Sequence, residues 1–219
     1  MSCSKRQRST IVRLTCTTSV VKGLRMTVVY LVRHGETTLN TEGRLQGGTI
    51  DAPLTAKGES QVEAIASLLA RELAGRGSPI RLQSSPLGRA LATARIIAAR
   101  VPTTPTAIDE RLREIDFGRW TGLTFAEIEQ TDAALWVARQ LDPWHIRSPG
   151  GESYSDVSQR ACDWLAAQTS DVIAVAHGVF GRVLRGTVLG LNGGAIRKLS
   201  EHHTDIVVIE AGTVQVLSA

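Results

Sequence analysis

No stretch of this chain stays apolar for the roughly 20 residues that a membrane-crossing helix needs, and nothing in it is repeated or of low complexity. A spanning helix and a solenoid are excluded, and no membrane partner is expected. Cysteine is scarce: Cys3 and Cys16 stand near the amino terminus and Cys162 in the body. One body cysteine permits no disulfide within the body, so the expected setting is reducing and cytoplasmic. Asp and Glu are missing altogether from residues 1–25, which hold Lys5, Arg6, Arg8, Arg13, Lys22 and Arg25. This basic, Ser/Thr-rich tail has the composition of an organellar transit peptide, of disordered chain, or of sequence upstream of a true start at Met26. It is expected to be dispensable, with one domain running from 26 to 219. Without the tail the charge changes sign. The whole chain carries +4, but 26–219 holds 19 cations against 21 anions. A body of that sign offers no basic stripe for nucleic acid. Lacking one, Trp120, Trp136, Trp144 and Trp164 read as core or lid packing, not as stacking platforms.

What the chain does have is apolar periodicity. Its 219 residues, 42% hydrophobic, suffice for one sizeable core. "MTVVYLV" at 26–32 is β-branched with almost no polar alternation, the pattern of a strand buried on both faces of a parallel sheet. "DVIAVA" at 171–176 is a second such run. Between them, Val62, Ile65, Leu69 and Leu73 recur at helical spacing behind Thr55, a candidate N-cap, with Gly75 as a stop. "IRLQSS" predicts a short strand, and Ser84 or Ser85 is the candidate cap of a helix with Pro86 in its first turn. "DIVVIEAGTVQVLSA" predicts a closing hairpin turned at Ala211-Gly212. The alternation implies an α/β fold with a mainly parallel sheet and helices on both faces, a three-layer αβα sandwich.

Both continuous strands end in His-Gly: His34-Gly35 and His177-Gly178. Ligands of open α/β sheets sit outside the carboxyl ends of the strands. If the two strands are neighbours, His34 and His177 meet there, with Arg33 beside them. Arg89, one turn into a helix that itself starts at a strand end, reaches the same edge. Gly178 opens a helix whose free N–H groups are expected to point at the same place. Two arginines, two histidines and a helix terminus suit a tetrahedral dianion. A zinc site built on the two histidines competes, but Arg33 and Arg89 beside a dication would be repelled. No metal and no cofactor is therefore expected. The pair His202-His203 is set aside as a joint ligand, because neighbours on a strand point to opposite faces.

"LVRHGETTLN", "SSPLGRALATA", "ERLREIDFGRWTGL", "PGGES" and "VAHG" occur in the order and approximate spacing of the histidine phosphatase superfamily. From Met26 to about Glu210 the chain resembles the branch of cofactor-dependent phosphoglycerate mutases and broad-specificity phosphatases. The resemblance implies a small helical cap on the sandwich and a phosphohistidine on His34, with Arg33, Arg89 and His177 holding the phosphoryl oxygens. Glu114 would be the proton donor, a role needing a raised pKa. Asn40 and Gln46 fall where the family places secondary phosphate contacts. Glu36 and Glu152 match motif positions and would orient arginines or touch substrate, while Ser153 reads as a helix cap. Departures occur in "LQGGTIDAPLT", at Pro86 and at "HHTDI", which stands where "NTS" is common. The implied partner is a small phosphorylated metabolite, and a homodimer is left open. The segment 115–151 lacks a paired-arginine element and is short, so phosphatase action is expected ahead of mutase transfer or silent ligand binding.

Overall fold

The computed structural model describes residues 27–219. The basic tail, with Cys3, Cys16 and Met26, lies outside the described residues. Six strands form one mixed sheet in the order β3-β2-β4-β1-β5-β6, with β1 Val28–Arg33, β2 Arg81–Ser84, β3 Ala107–Ile108, β4 Val172–Ala176, β5 Asp205–Glu210 and β6 Thr213–Ser218. The two apolar runs are neighbours: β1 pairs parallel with β4, Arg33 opposite Ala176. Three pairings are parallel, and β5 alone runs against its neighbours β1 and β6. Ala211 (φ 47°) and Gly212 (φ 80°) make the closing turn, both left-handed as a tight two-residue hairpin requires.

The side chains of the central strands alternate between two cores. Val29, Leu31, Val172 and Ala174 face one, Val32, Ile173 and Val175 the other. The first is covered by α5 (Tyr154–Ala166) and α6 (Gly178–Val188), through Val157, Trp164, Phe180 and Leu184. The second is covered by α2 (Ala56–Glu72) and α3 (Gly88–Ala98), through Val62, Ile65, Leu69, Ala94 and Ile97. β4 is buried on both faces and β1 is covered on both, its Tyr30 only partly buried, which is why their sequences show almost no polar alternation. Short helices α1 (Thr38–Thr41) and α7 (Gly193–Arg197) and the longer α4 (Phe125–Leu141) complete the α-helices among the described residues. Thr55 caps α2 and Ser153 caps α5, as expected. Cys162 is 7% exposed on α5.

One predicted cap is wrong. Helix α3 begins behind Leu87 with no cap from its own side chains. Ser84 donates to the Ser85 carbonyl and Ser85 approaches His177. The acceptor at this helix start comes from far away in sequence: Asp51 Oδ1 takes the Arg89 N–H at 3.3 Å.

Candidate active site

Three parallel strands end at one place. His34 N donates to the Ala176 carbonyl (3.1 Å) and Ser85 N to Val175 (3.0 Å), so residues following β1, β2 and β4 share one edge. The His34 and His177 rings lie 5.1 Å apart. A cavity of about 170 Å³ opens there, lined by Arg33, His34, Asn40, Gln46, Arg89 and Gly178 among others. Leu45, Phe117 and Val179 give it an apolar wall, and Arg44, Glu114, Arg182 and Glu201 its remaining charges.

His34 is 3% exposed, and its hydrogen bonds fix its tautomer. Nδ1 lies 2.7 Å from the Gly35 carbonyl, which only accepts, so Nδ1 carries the hydrogen. Nε2 keeps its lone pair and accepts from Arg89 Nε at 3.2 Å. Burial, then the nearby charges of Arg89 and Arg33, hold the ring well below the usual histidine range, leaving a neutral imidazole. Burial likewise holds His177 well below that range, with Arg89 the next cause. His177 Nε2 sits 2.8 Å from Ser85 Oγ, and its Nδ1 is buried with no partner among the described residues.

Arg89, 1% exposed, is locked by three oxygens: the Gly47 carbonyl (2.7 Å), the Ile50 carbonyl (2.9 Å) and Asp51 Oδ1, which takes NH1 at 3.0 Å as well as the backbone N–H. Arg33 donates NH1 to the Glu201 carbonyl (2.6 Å), and its Nε is buried without a partner among the described residues. Gly178 makes room for it, since a Cβ there would stand 3.3 Å from the Arg33 guanidinium.

The expected anion site at the start of α6 is already filled. Glu114 Oε2 accepts from Val179 N (3.0 Å) and Oε1 from Phe180 N (2.9 Å) and Ile115 N (2.9 Å). A carboxylate from the same chain satisfies the orphan N–H groups that a phosphate was expected to find. The same bonds hold Glu114 at the cavity. Asn40 and Gln46 reach the cavity too, but both serve the chain first. Asn40 Oδ1 closes the capping box of α1 with Thr37, leaving its Nδ2, and Gln46 Nε2 donates to Thr37 Oγ1 at 2.6 Å with Oε1 unpartnered.

Glu36 and Glu152 do not orient the cavity arginines. Glu36 binds Lys57 and Thr55, while Glu152 binds Arg160 and the Asp116 N–H. Trp136 packs on Trp120 and Phe125 in α4, away from the cavity lining. Helix α4 meets the cavity lining through Glu127, which pairs with Arg44 at 3.0 Å, and through Arg139, whose guanidinium lies 5.7 Å from the Phe117 ring. Sequence reasoning missed Glu201, Arg182 and His203. His203 lies in "HHTDI", which departs from the common pattern, and Glu201 immediately precedes it; that departure was the one available signal.

Among the described residues no group of three or more His, Cys, Asp or Glu is arranged to hold a metal ion. Residues 29–216 match the histidine phosphatase superfamily, branch 1. The chain belongs to this superfamily. It is 38% identical over 199 residues to a Salmonella choleraesuis protein named probable phosphoglycerate mutase GpmB, covering 84% of this chain and 85% of that one. Among solved structures, the α-ribazole phosphatase of Shigella flexneri superposes with a TM-score of 0.75 at 25% identity, over 88% of this chain and 96% of its own. The mycobacterial glucosyl-3-phosphoglycerate phosphatase gives 0.70 at 27% identity, over 89% and 97%. In this superfamily member four of the five sequence motifs contribute to the cavity lining, "PGGES" being the exception, and the parallel strands β1, β2 and β4 carry it at their carboxyl ends.

Proposed function

We propose that the protein hydrolyses phosphate monoesters of small metabolites through a phosphohistidine on His34. The observation that carries this reading is the hydrogen-bond state of His34: Nδ1–H is held by Gly35, so Nε2 is a free base facing a cavity rich in arginine. Nε2 attacks phosphorus in line and the P–O ester bond breaks. Arg33 and Arg89 take up charge on the equatorial oxygens. His177 joins them by donating from Nδ1, once Nε2 accepts the Ser85 hydroxyl hydrogen. Glu114, held at the cavity by its backbone bonds, is the group placed to pass a proton to the leaving alkoxide. Water then attacks the phosphohistidine, Glu114 takes a proton from it, the P–N bond breaks, and inorganic phosphate leaves with His34 neutral again.

The relatives named phosphatases favour hydrolysis, and so does the cavity wall, to which α4 contributes no side chain. A mutase must keep its phosphoenzyme from water. Here the alcohol is met by Leu45, Phe117 and Val179 from loops and a helix start, which suits leaving groups of several shapes and a small molecule. The curated relatives' name keeps the mutase reading as the alternative. Incubation with 3-phosphoglycerate and a trace of 2,3-bisphosphoglycerate separates the two. Release of phosphate at least as fast as isomerisation is expected, and isomerisation faster by orders of magnitude would install the mutase reading.

A further inference from the structure

The nucleophile's own peptide is held from two sides, and the two sides differ in kind. Toward β4 the ladder continues past the end of β1: Arg33 pairs with Ala176, and His34 N donates to the Ala176 carbonyl. Toward β5 the ladder stops at Val32, opposite Ile206. The His34 carbonyl therefore has no backbone partner on that side. It is met instead by a side chain, His203 Nδ1, at 2.6 Å. A carbonyl oxygen only accepts, so His203 carries its hydrogen on Nδ1. The two imidazole rings lie 5.7 Å apart, and two residues earlier in the same loop the Glu201 carbonyl accepts from Arg33 NH1. The loop before β5 thus fastens both members of the Arg-His pair.

We propose that His203 is a positioning residue for the nucleophile: by donating to the His34 carbonyl it replaces the missing strand partner and sets the direction in which His34 Nε2 faces phosphorus. The inference rests on His34 being the nucleophile. The peptide it holds is short of slack. Gly35 N donates to Thr93 Oγ1 at 3.2 Å, and the Gly35 carbonyl accepts from His34 Nδ1, so His34 is tied at its N–H, its carbonyl and its ring at once. Rotation of this peptide would swing the ring against Arg89 and misalign the in-line approach, on which phosphoryl transfer depends steeply. His203 is also suited to the place by charge. Burial and the Arg33 guanidinium lower it to about 4, so at neutral pH it brings a hydrogen-bond donor to the nucleophile without a further positive charge.

The test compares His203→Ala, His203→Asn and His203→Gln. In Asn the amide Nδ2 stands where Nδ1 stood, whereas in Gln the donor is carried one bond farther out. With a chromogenic aryl phosphate, His203→Ala is expected to lower kcat and the pre-steady-state rate of His34 phosphorylation by about tenfold or more, with KM and the inhibition constant of inorganic phosphate within about threefold, because Arg33, Arg89 and His177 remain. His203→Asn should recover most of the rate and His203→Gln little. Equal loss in Asn and Ala, or a raised phosphate inhibition constant with an unchanged phosphorylation rate, would overturn the proposal. Unchanged rates in all three would do so as well. A wild-type protein that forms no phosphohistidine would instead defeat the reading of the site on which the inference rests.

Discussion

At the scale of single residues, the site is a balance between buried cations and the carboxylates set against them. Glu201 shows the cost. Its side chain is 7% exposed, 3.5 Å from Arg185 NH2, with one oxygen lacking a hydrogen-bond partner among the described residues. Burial raises it to about 7 although Arg185, Arg33 and Arg182 pull the other way. The folded state thus holds a proton that the unfolded chain releases near 4.5. Its contribution to stability is full below that value and is lost as pH rises through about 7. Glu201→Gln should therefore gain in melting temperature over wild type as pH is raised from 5 to 8. A difference that stays constant across that range would show that Glu201 is ionised throughout. Residue identities at the site were legible because the motifs carry them: Arg33, His34, Arg89 and Glu114 line one cavity, and His177 stands behind it with its ring 5.1 Å from that of His34. Their bonds were not legible. That Glu114 would occupy the α6 amides, or that His203 would reach the His34 carbonyl, depends on loops packed from distant sequence, and no periodicity reports it.

At the scale of elements, the strands and amphipathic helices could be read because burial on one or both faces writes a period into the sequence. The start of α3 could not. The local serines looked like caps, but Ser85 is drawn to His177 and the helix takes Asp51, 38 residues upstream of Arg89, in their place. Asp51 then serves twice, closing the helix and gripping the Arg89 guanidinium. Replacing it with Ala should lower unfolding free energy in urea by about 1 kcal/mol, the usual worth of such a cap. Asp51→Asn retains an acceptor and should lose less. Equal losses for the two variants would mean that the ion pair, not the cap, carries the effect.

At the scale of the whole molecule, the order β3-β2-β4-β1-β5-β6 brings the ends of β1, β2 and β4 together, and each end delivers one part of the site. The positive charge that a phosphoryl group needs is supplied by arginines fixed on carbonyls and carboxylates. Turnover is accordingly expected to persist in excess EDTA. Complete loss with recovery by one divalent ion would place the chemistry on a metal. The claim on which everything else depends is covalent: the phosphoryl group passes through His34 Nε2. Mixing the protein with a labelled phosphate monoester and quenching within milliseconds should trap an acid-labile, base-stable adduct on the peptide containing His34, absent from His34→Ala. Label on another residue, or an adduct that survives in His34→Ala, would contradict the account.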